Sequence, residues 1–146
     1  MPELRPCPAT ADLAPILQES FNTRDSARLL SLWADDFHFE GPLSSFTGKE
    51  RMAAQEQNLW TAFPDIQCEV EPFIVAHDRL VFATRMRGTH TGPLQLAGRV
   101  LEPSGRPIDF TLAVHMYMRN GLIAGERVFF DTAGFMRQLR LMNDSE

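Results

Sequence analysis

The apolar residues of this chain change their period halfway along it, and that change restricts the fold more than any other feature. Up to Phe63 they recur at helical spacing: Leu13, Ile16, Leu17 and Phe21, then Leu29, Leu30, Leu32 and Trp33, then Met52, Leu59, Trp60 and Phe63. Beyond Pro64 they alternate. Ile66, Cys68, Val70, Pro72 and Ile74 are interleaved with Gln67, Glu69 and Glu71. Leu80, Phe82 and Met86 share a second run with Arg85 and Arg87, and Ile108, Phe110, Leu112, Val114, Met116 and Met118 a third with Asp109, Thr111, His115 and Tyr117. Period two with one apolar face is the pattern of antiparallel strands covered on one side. The even-numbered residues face inward in all three runs. Helices followed by strands predict an α+β fold, a curved antiparallel sheet wrapped around N-terminal helices. Three helices are too few to fill the concave side of a long sheet, so a cone with an apolar pocket is expected between the layers.

Local signals punctuate these elements. Thr10 is a candidate N-cap for the first helix and Asp25 for the second. A short strand is expected over Phe37–Gly41. Thr47 and Glu50 stand at capping-box spacing before the third helix, which Pro64 stops. Turns are read at His77-Asp78-Arg79, Pro103-Ser104-Gly105-Arg106-Pro107 and Arg119-Asn120-Gly121. A last amphipathic helix, from about Thr132, carries Phe135, Met136 and Leu139. No repeat or composition shift divides the chain, which reads as a single domain over 1–146 with 1–8 as a flexible lead-in.

Composition narrows the partners. Fourteen Lys and Arg against nineteen Asp and Glu leave a net charge of -5, which disfavours nucleic acid and anionic membrane surfaces. The first residues have no apolar run for a signal peptide or membrane span, so a cytoplasmic location is expected. Cys7 and Cys68 are read as separate reduced thiols. Eleven Phe and two Trp against one Tyr supply ring surface almost without hydroxyls, which suits an apolar pocket for a small hydrophobic molecule.

The last hairpin sets what faces that pocket. A two-residue Asn120-Gly121 turn pairs Arg119 with Leu122 and points Arg127, Phe129 and Asp131 inward. A three-residue loop with Gly121 as a bulge pairs Met118 with Leu122 and points Ala124, Glu126, Val128 and Phe130 inward. The second is preferred, because an Arg stem crossing an apolar core costs more than a protonatable Glu. The same arithmetic at His77-Asp78-Arg79 pairs Ala76 with Leu80 and sets His90 opposite Ile66.

Glu126 is then the leading catalytic candidate. A carboxyl between Val128 and Phe130 is poorly solvated, so its pKa rises toward neutrality and it can exchange a proton with substrate at neutral pH. His90, in Gly88-Thr89-His90-Thr91-Gly92, is the candidate acid, base or hydrogen-bond donor opposite it. Phe21, Phe39, Trp60, Phe82, Met86, Val114, Met116, Val128 and Phe130 are the expected ligand-binding wall. His38 and Glu40 alternate with Phe37 and Phe39 and are read as outward. His115 and Tyr117, with Arg85 and Arg87, suit a subunit interface on the outer sheet face. The scattered histidines have no metal-ligand spacing, no phosphate or dinucleotide loop is present, and Cys68 has no basic neighbour in sequence to activate it.

Several short motifs in order carry a resemblance: Phe46-Thr47-Gly48-Lys49-Glu50, Ala62-Phe63-Pro64-Asp65, Gly88–Gly92, Pro103-Ser104-Gly105-Arg106, Asn120-Gly121, and Glu126-Arg127-Val128-Phe129-Phe130-Asp131 before Gln138-Leu139. With them the chain, from about Asn22 to Leu141, resembles the SnoaL-like polyketide cyclases (ester cyclases) of the nuclear transport factor 2-like, cystatin-like fold. The resemblance implies a cone-shaped pocket closed by helices, a homodimer through the sheet, no metal or organic cofactor, and intramolecular aldol closure on a polyketide ester. The family's last strand carries His-Trp-Asp with the Asp as acid/base; here Glu126 stands at the His and Val128 at the Asp. Related ketosteroid isomerases carry a catalytic Asp where this chain has Gly41 before Pro42. Glu126 is expected to take over proton transfer from the same face.

The expected function is therefore a lyase or isomerase of the polyketide-cyclase type acting on a small hydrophobic carbonyl compound. The alternatives are a non-enzymatic binding protein for an apolar ligand, and an epoxide or ester hydrolase built on Arg85, Asp109 and Asp131.

Overall fold

The computed structural model describes residues 8–141. Most of the expected lead-in (residues 1–7), Cys7 included, lies outside the described residues. A 3₁₀ turn at Thr10–Asp12 leads into α1 (Leu13–Asn22) and α2 (Ser26–Leu32), followed by β1 (Trp33–Glu40), β2 (Ser45–Thr47) and α3 (Lys49–Ala62). The second half supplies β3 (Gln67–Val75), β4 (Arg79–Thr89), β5 (Leu94–Leu96), β6 (Arg99–Leu101), β7 (Pro107–Arg119), β8 (Leu122–Phe129) and α4 (Thr132–Gln138). Six strands form one curved, unclosed sheet in the order β2-β1-β8-β7-β4-β3, and β5 and β6 form a separate hairpin. The helices and this hairpin cover its concave face. Among the described residues no helix is long and apolar enough to cross a membrane.

The α+β class holds, with one change to the expected sheet. β1 runs parallel to β8, placing Phe39 beside Glu126, so the sheet is mixed. The period-two reading ends at the first half of the chain, where a strand inserted between helices returns to pair with the last strand.

Both expected hairpin loops are corrected in the same way. At Asn120-Gly121 both residues are left-handed, φ 53° and 78°, and Arg119 pairs with Leu122 in the two-residue turn. One extra residue, Ala124, then bulges out, because Met118 pairs with Ile123 but Tyr117 pairs with Gly125. The bulge shifts the register by one, so Glu126 faces Met116 and Val128 faces Val114. The inward face expected for Glu126 and Val128 is thus reached by a different route. At the other hairpin the Ala76 N–H bonds the Arg79 carbonyl, and Phe73 is the extra residue between Pro72↔Phe82 and Ile74↔Val81. Cys68 consequently faces Met86. Ile66 lies against Gly88, with its Cα 3.2 Å from where a Gly88 Cβ would stand, and does not face His90.

The cap expected at α2 forms, those expected at α1 and α3 do not, and α4 has one beyond those expected. Asp25 accepts from the Arg28 N–H at 3.1 Å, and Asp131 from the Gly134 N–H at 2.9 Å. Thr10 instead donates to the His77 carbonyl. The capping box is not formed: Gly48 is the N-cap of α3, and the Thr47 hydroxyl is taken by His38 Nδ1 at 2.9 Å. A φ of 114° at Gly48 turns the chain into the helix in a way Thr47 cannot.

Candidate active site

The concave face of the sheet and the helices enclose a cavity of about 260 Å³. A cavity of about 150 Å³ takes one benzene ring, so this one holds a small organic molecule. Phe39, Phe82, Met86, Val114, Met116, Val128 and Phe130 line it from the sheet side, and Phe21 reaches it from α1. Phe110, Phe130 and Phe135 pack tilted or edge-on at 4.9–5.9 Å and close one end. Gly41–Ser44 and Gln95–Ala97, which include exposed residues, also line it and form its mouth. Asn58 on α3 holds the Gln95 backbone in a reciprocal pair of 2.9 Å bonds, fixing the β5–β6 hairpin against the helix.

Glu126 is 4% exposed and lies on the sheet between Phe39 of β1 and Met116 of β7. Burial, and then the neighbouring Glu56 carboxyl, push its pKa up to about 8. Gly125 supports this geometry from the other side. The Tyr117 ring lies across it, with the hydroxyl only 2.2 Å from where a Cβ would stand, so only glycine fits there. Arg127, the rival for the inward position, points outward and pairs with Glu40 at 3.3 Å.

Glu56 was not foreseen. It lies on α3 four residues after Met52 and four before Trp60, inside the helix's apolar stripe, which is the signal that could have found it. Its Oε2 is buried with no hydrogen-bond partner among the described residues, and burial pushes its pKa up to about 8. Thr84, between Phe82 and Met86 on the inward face of β4, contributes a buried hydroxyl that likewise has no partner there. Cys68 lines the same cavity, and desolvation raises its thiol to about 11, so it stays protonated and unreactive.

Two expected site residues lie elsewhere. Trp60 is buried but does not line the cavity; it packs behind Phe21 at 5.6 Å, under the Arg24 guanidinium. His90 is 1% exposed, also away from the cavity, packed on Phe63 at 5.4 Å. Its Nδ1 accepts from the Ser104 backbone N–H at 3.2 Å and lies 2.9 Å from the Ser104 hydroxyl. Nδ1 is therefore unprotonated, and burial holds the ring's pKa below its ordinary value. The ring pins the Pro103–Arg106 turn and does not face Glu126. The β3–β4 register explains this: the bulge at Phe73 shifts the pairing and puts Gly88, not His90, beside Ile66.

The hydrolase cluster is not assembled at the cavity. Arg85 grips Asp109 in a two-pronged pair at 2.9 and 2.6 Å on the outer face, and Asp131 is spent on the α4 cap. His38 bridges Thr47 and Glu40, also outside.

Comparison with known proteins agrees with this architecture. The family model for SnoaL-like polyketide cyclases matches residues 11–139. No curated protein matches the sequence significantly. Among solved structures, TsrD from Streptomyces laurentii superposes with a TM-score of 0.77 at 22% identity, over 90% of this chain and 95% of its own. IdmH from Streptomyces antibioticus, a proposed polyketide cyclase, gives 0.72 at 24%, over 90% and 98%. AclR from Streptomyces galilaeus, a proposed hydroxylase, gives 0.75 at 19%, over 93% and 85%. At such identities the structures establish the fold, and the family model carries the assignment: the chain belongs to the SnoaL-like polyketide cyclase family.

Proposed function

We propose that the protein catalyses cyclase-type proton transfer on a small hydrophobic carbonyl compound, with Glu126 as the acid/base. The observation that carries this reading is a carboxyl buried in an apolar cavity with its pKa raised to about 8. At pH 7 on the order of a tenth of such a group is ionised, and the rest holds a transferable proton. The carboxylate removes a proton from the carbon next to the carbonyl while the Thr84 hydroxyl donates to the oxygen. The enolate carbon attacks a second carbonyl carbon, a C–C bond forms, and the new alkoxide takes the proton back from Glu126. Ligand binding without conversion is the second reading, favoured by the apolar Val128 where the family places its Asp. We also assign self-association to the outer sheet face, where Phe129 is 60% exposed on β8.

The test is deuterium exchange into cyclohexanone in D₂O, followed by NMR, with wild type and Glu126→Gln. Wild type should accelerate exchange, and the variant should lose about 10²–10⁴-fold of that acceleration. Equal rates would remove Glu126 from the mechanism.

A further inference from the structure

One carboxyl suffices to move a proton, and the cavity has two. The titratable residues lining it are Glu56 on α3, Glu126 on β8 and Cys68 on β3; no Lys, Arg or His lines it among the described residues. Several of the protein's cations are paired outside the cavity, in Lys49–Asp35, Arg85–Asp109, Arg87–Glu69 and Arg127–Glu40. A carboxylate in apolar surroundings is costly to ionise unless a positive partner stands beside it. Among the described residues none stands there, so a ligand is the natural source of that partner. Glu56 shares its helix with Gln55 and Asn58, which also line the cavity, whereas Glu126 sits on the sheet among Phe39, Met116 and Val128.

We propose that the cavity selects a hydrophobic carbonyl compound that also carries a basic amine, with Glu56 as the counter-ion of the ammonium group and Glu126 left to move the proton. This rests on the reaction proposed above and names its substrate class. An ammonium beside Glu56 stabilises its ionised form, so the neutral carboxyl releases its proton to solvent. Glu126 faces the same space, and because burial keeps it mostly protonated at neutral pH, the main counter-charge for a cation comes from Glu56. The Cys68 thiol stays neutral throughout.

The experiment is calorimetric titration of the whole protein with cyclohexylamine and with its neutral counterpart cyclohexanol, each in two buffers of different ionisation enthalpy. At pH 7 the amine should bind at least about tenfold more tightly and release close to one proton, while the alcohol releases none. Amine affinity should rise up to about tenfold per pH unit from pH 6 to near 8. Glu56→Gln should abolish the preference and the proton release but keep cyclohexanol binding, which shows that the cavity is intact. Glu126→Gln should keep most of the preference. Equal affinities, no proton release, an unchanged preference in Glu56→Gln, or no binding of either probe would overturn the proposal; the wild-type proton count decides it even if the variant does not fold. An amine preference without Glu126-dependent exchange would sink the reaction and leave the binding site. Glu126-dependent exchange without an amine preference would do the reverse.

Discussion

Glu56 on α3 and Glu126 on β8 look into one apolar cavity, near enough for the charge of the first to raise the pKa of the second. The two come from opposite layers of the fold and are 70 residues apart in sequence.

This pairing makes stability depend on pH in an unusual direction. Both carboxyls move from an ordinary 4.5 to about 8 in the folded state, so between those values the folded protein holds more protons than the unfolded chain. Stability is fully present below about 4.5 as far as these groups are concerned, and is lost as pH rises through about 8. The slope is at most about 1.4 kcal/mol per pH unit per carboxyl. Urea denaturation at pH 5, 7 and 9 should show the midpoint falling, and the double variant Glu56→Gln/Glu126→Gln should flatten the trend. A wild type that grows more stable over that interval would contradict the buried placement.

His90 works in the opposite sense. Its folded pKa is lowered, so protonation opposes folding, and its contribution is lost as pH drops below about 6.5. His90→Ala should destabilise the protein by about 2–3 kcal/mol and make the Pro103–Arg106 turn easier to cleave by protease. A variant with unchanged denaturation midpoint and cleavage rate would mean the ring pins nothing.

The Gly125–Tyr117 contact is testable by a double-mutant cycle. Gly125→Ala should cost about 1–3 kcal/mol, because the new methyl meets the ring. In a Tyr117→Ala background the same change should cost much less. Additive costs would show that the ring does not lie over residue 125.

Phe129→Glu tests the self-association assigned to the outer sheet face. Light scattering after size exclusion should report a dimer for wild type and a monomer for the variant. A wild-type monomer at all accessible concentrations would refute that assignment.

Cavity size can be probed through Met116→Ala, which should cost about 2–5 kcal/mol and shift binding toward larger ligands. Unaltered size selectivity would imply that Met116 does not wall the site.

The two halves of the chain differ in how much they reveal. On β4 and β7, alternation puts Phe82, Thr84, Met86, Val114 and Met116 on one face, and these do line the cavity. Glu56 could be seen within the stripe of Met52 and Trp60, but its meaning needed the knowledge that this stripe covers the sheet. Trp60 belongs to that stripe and yet packs behind Phe21, because neighbouring positions on a helix face point up to tens of degrees apart.

Which side chains share a face is a local property, set by φ and ψ along a few residues, so the order of residues was enough for it. Which partner each face meets is not local. The bulges at Phe73 and Ala124, the parallel seam between β1 and β8, and the removal of His90 from the cavity were settled by how strands separated by many residues could pair while the core stayed dry. Burial of a charge-capable group is a statement about every layer around it, and so the shared environment of Glu56 and Glu126 exists only once the helices have closed over the sheet.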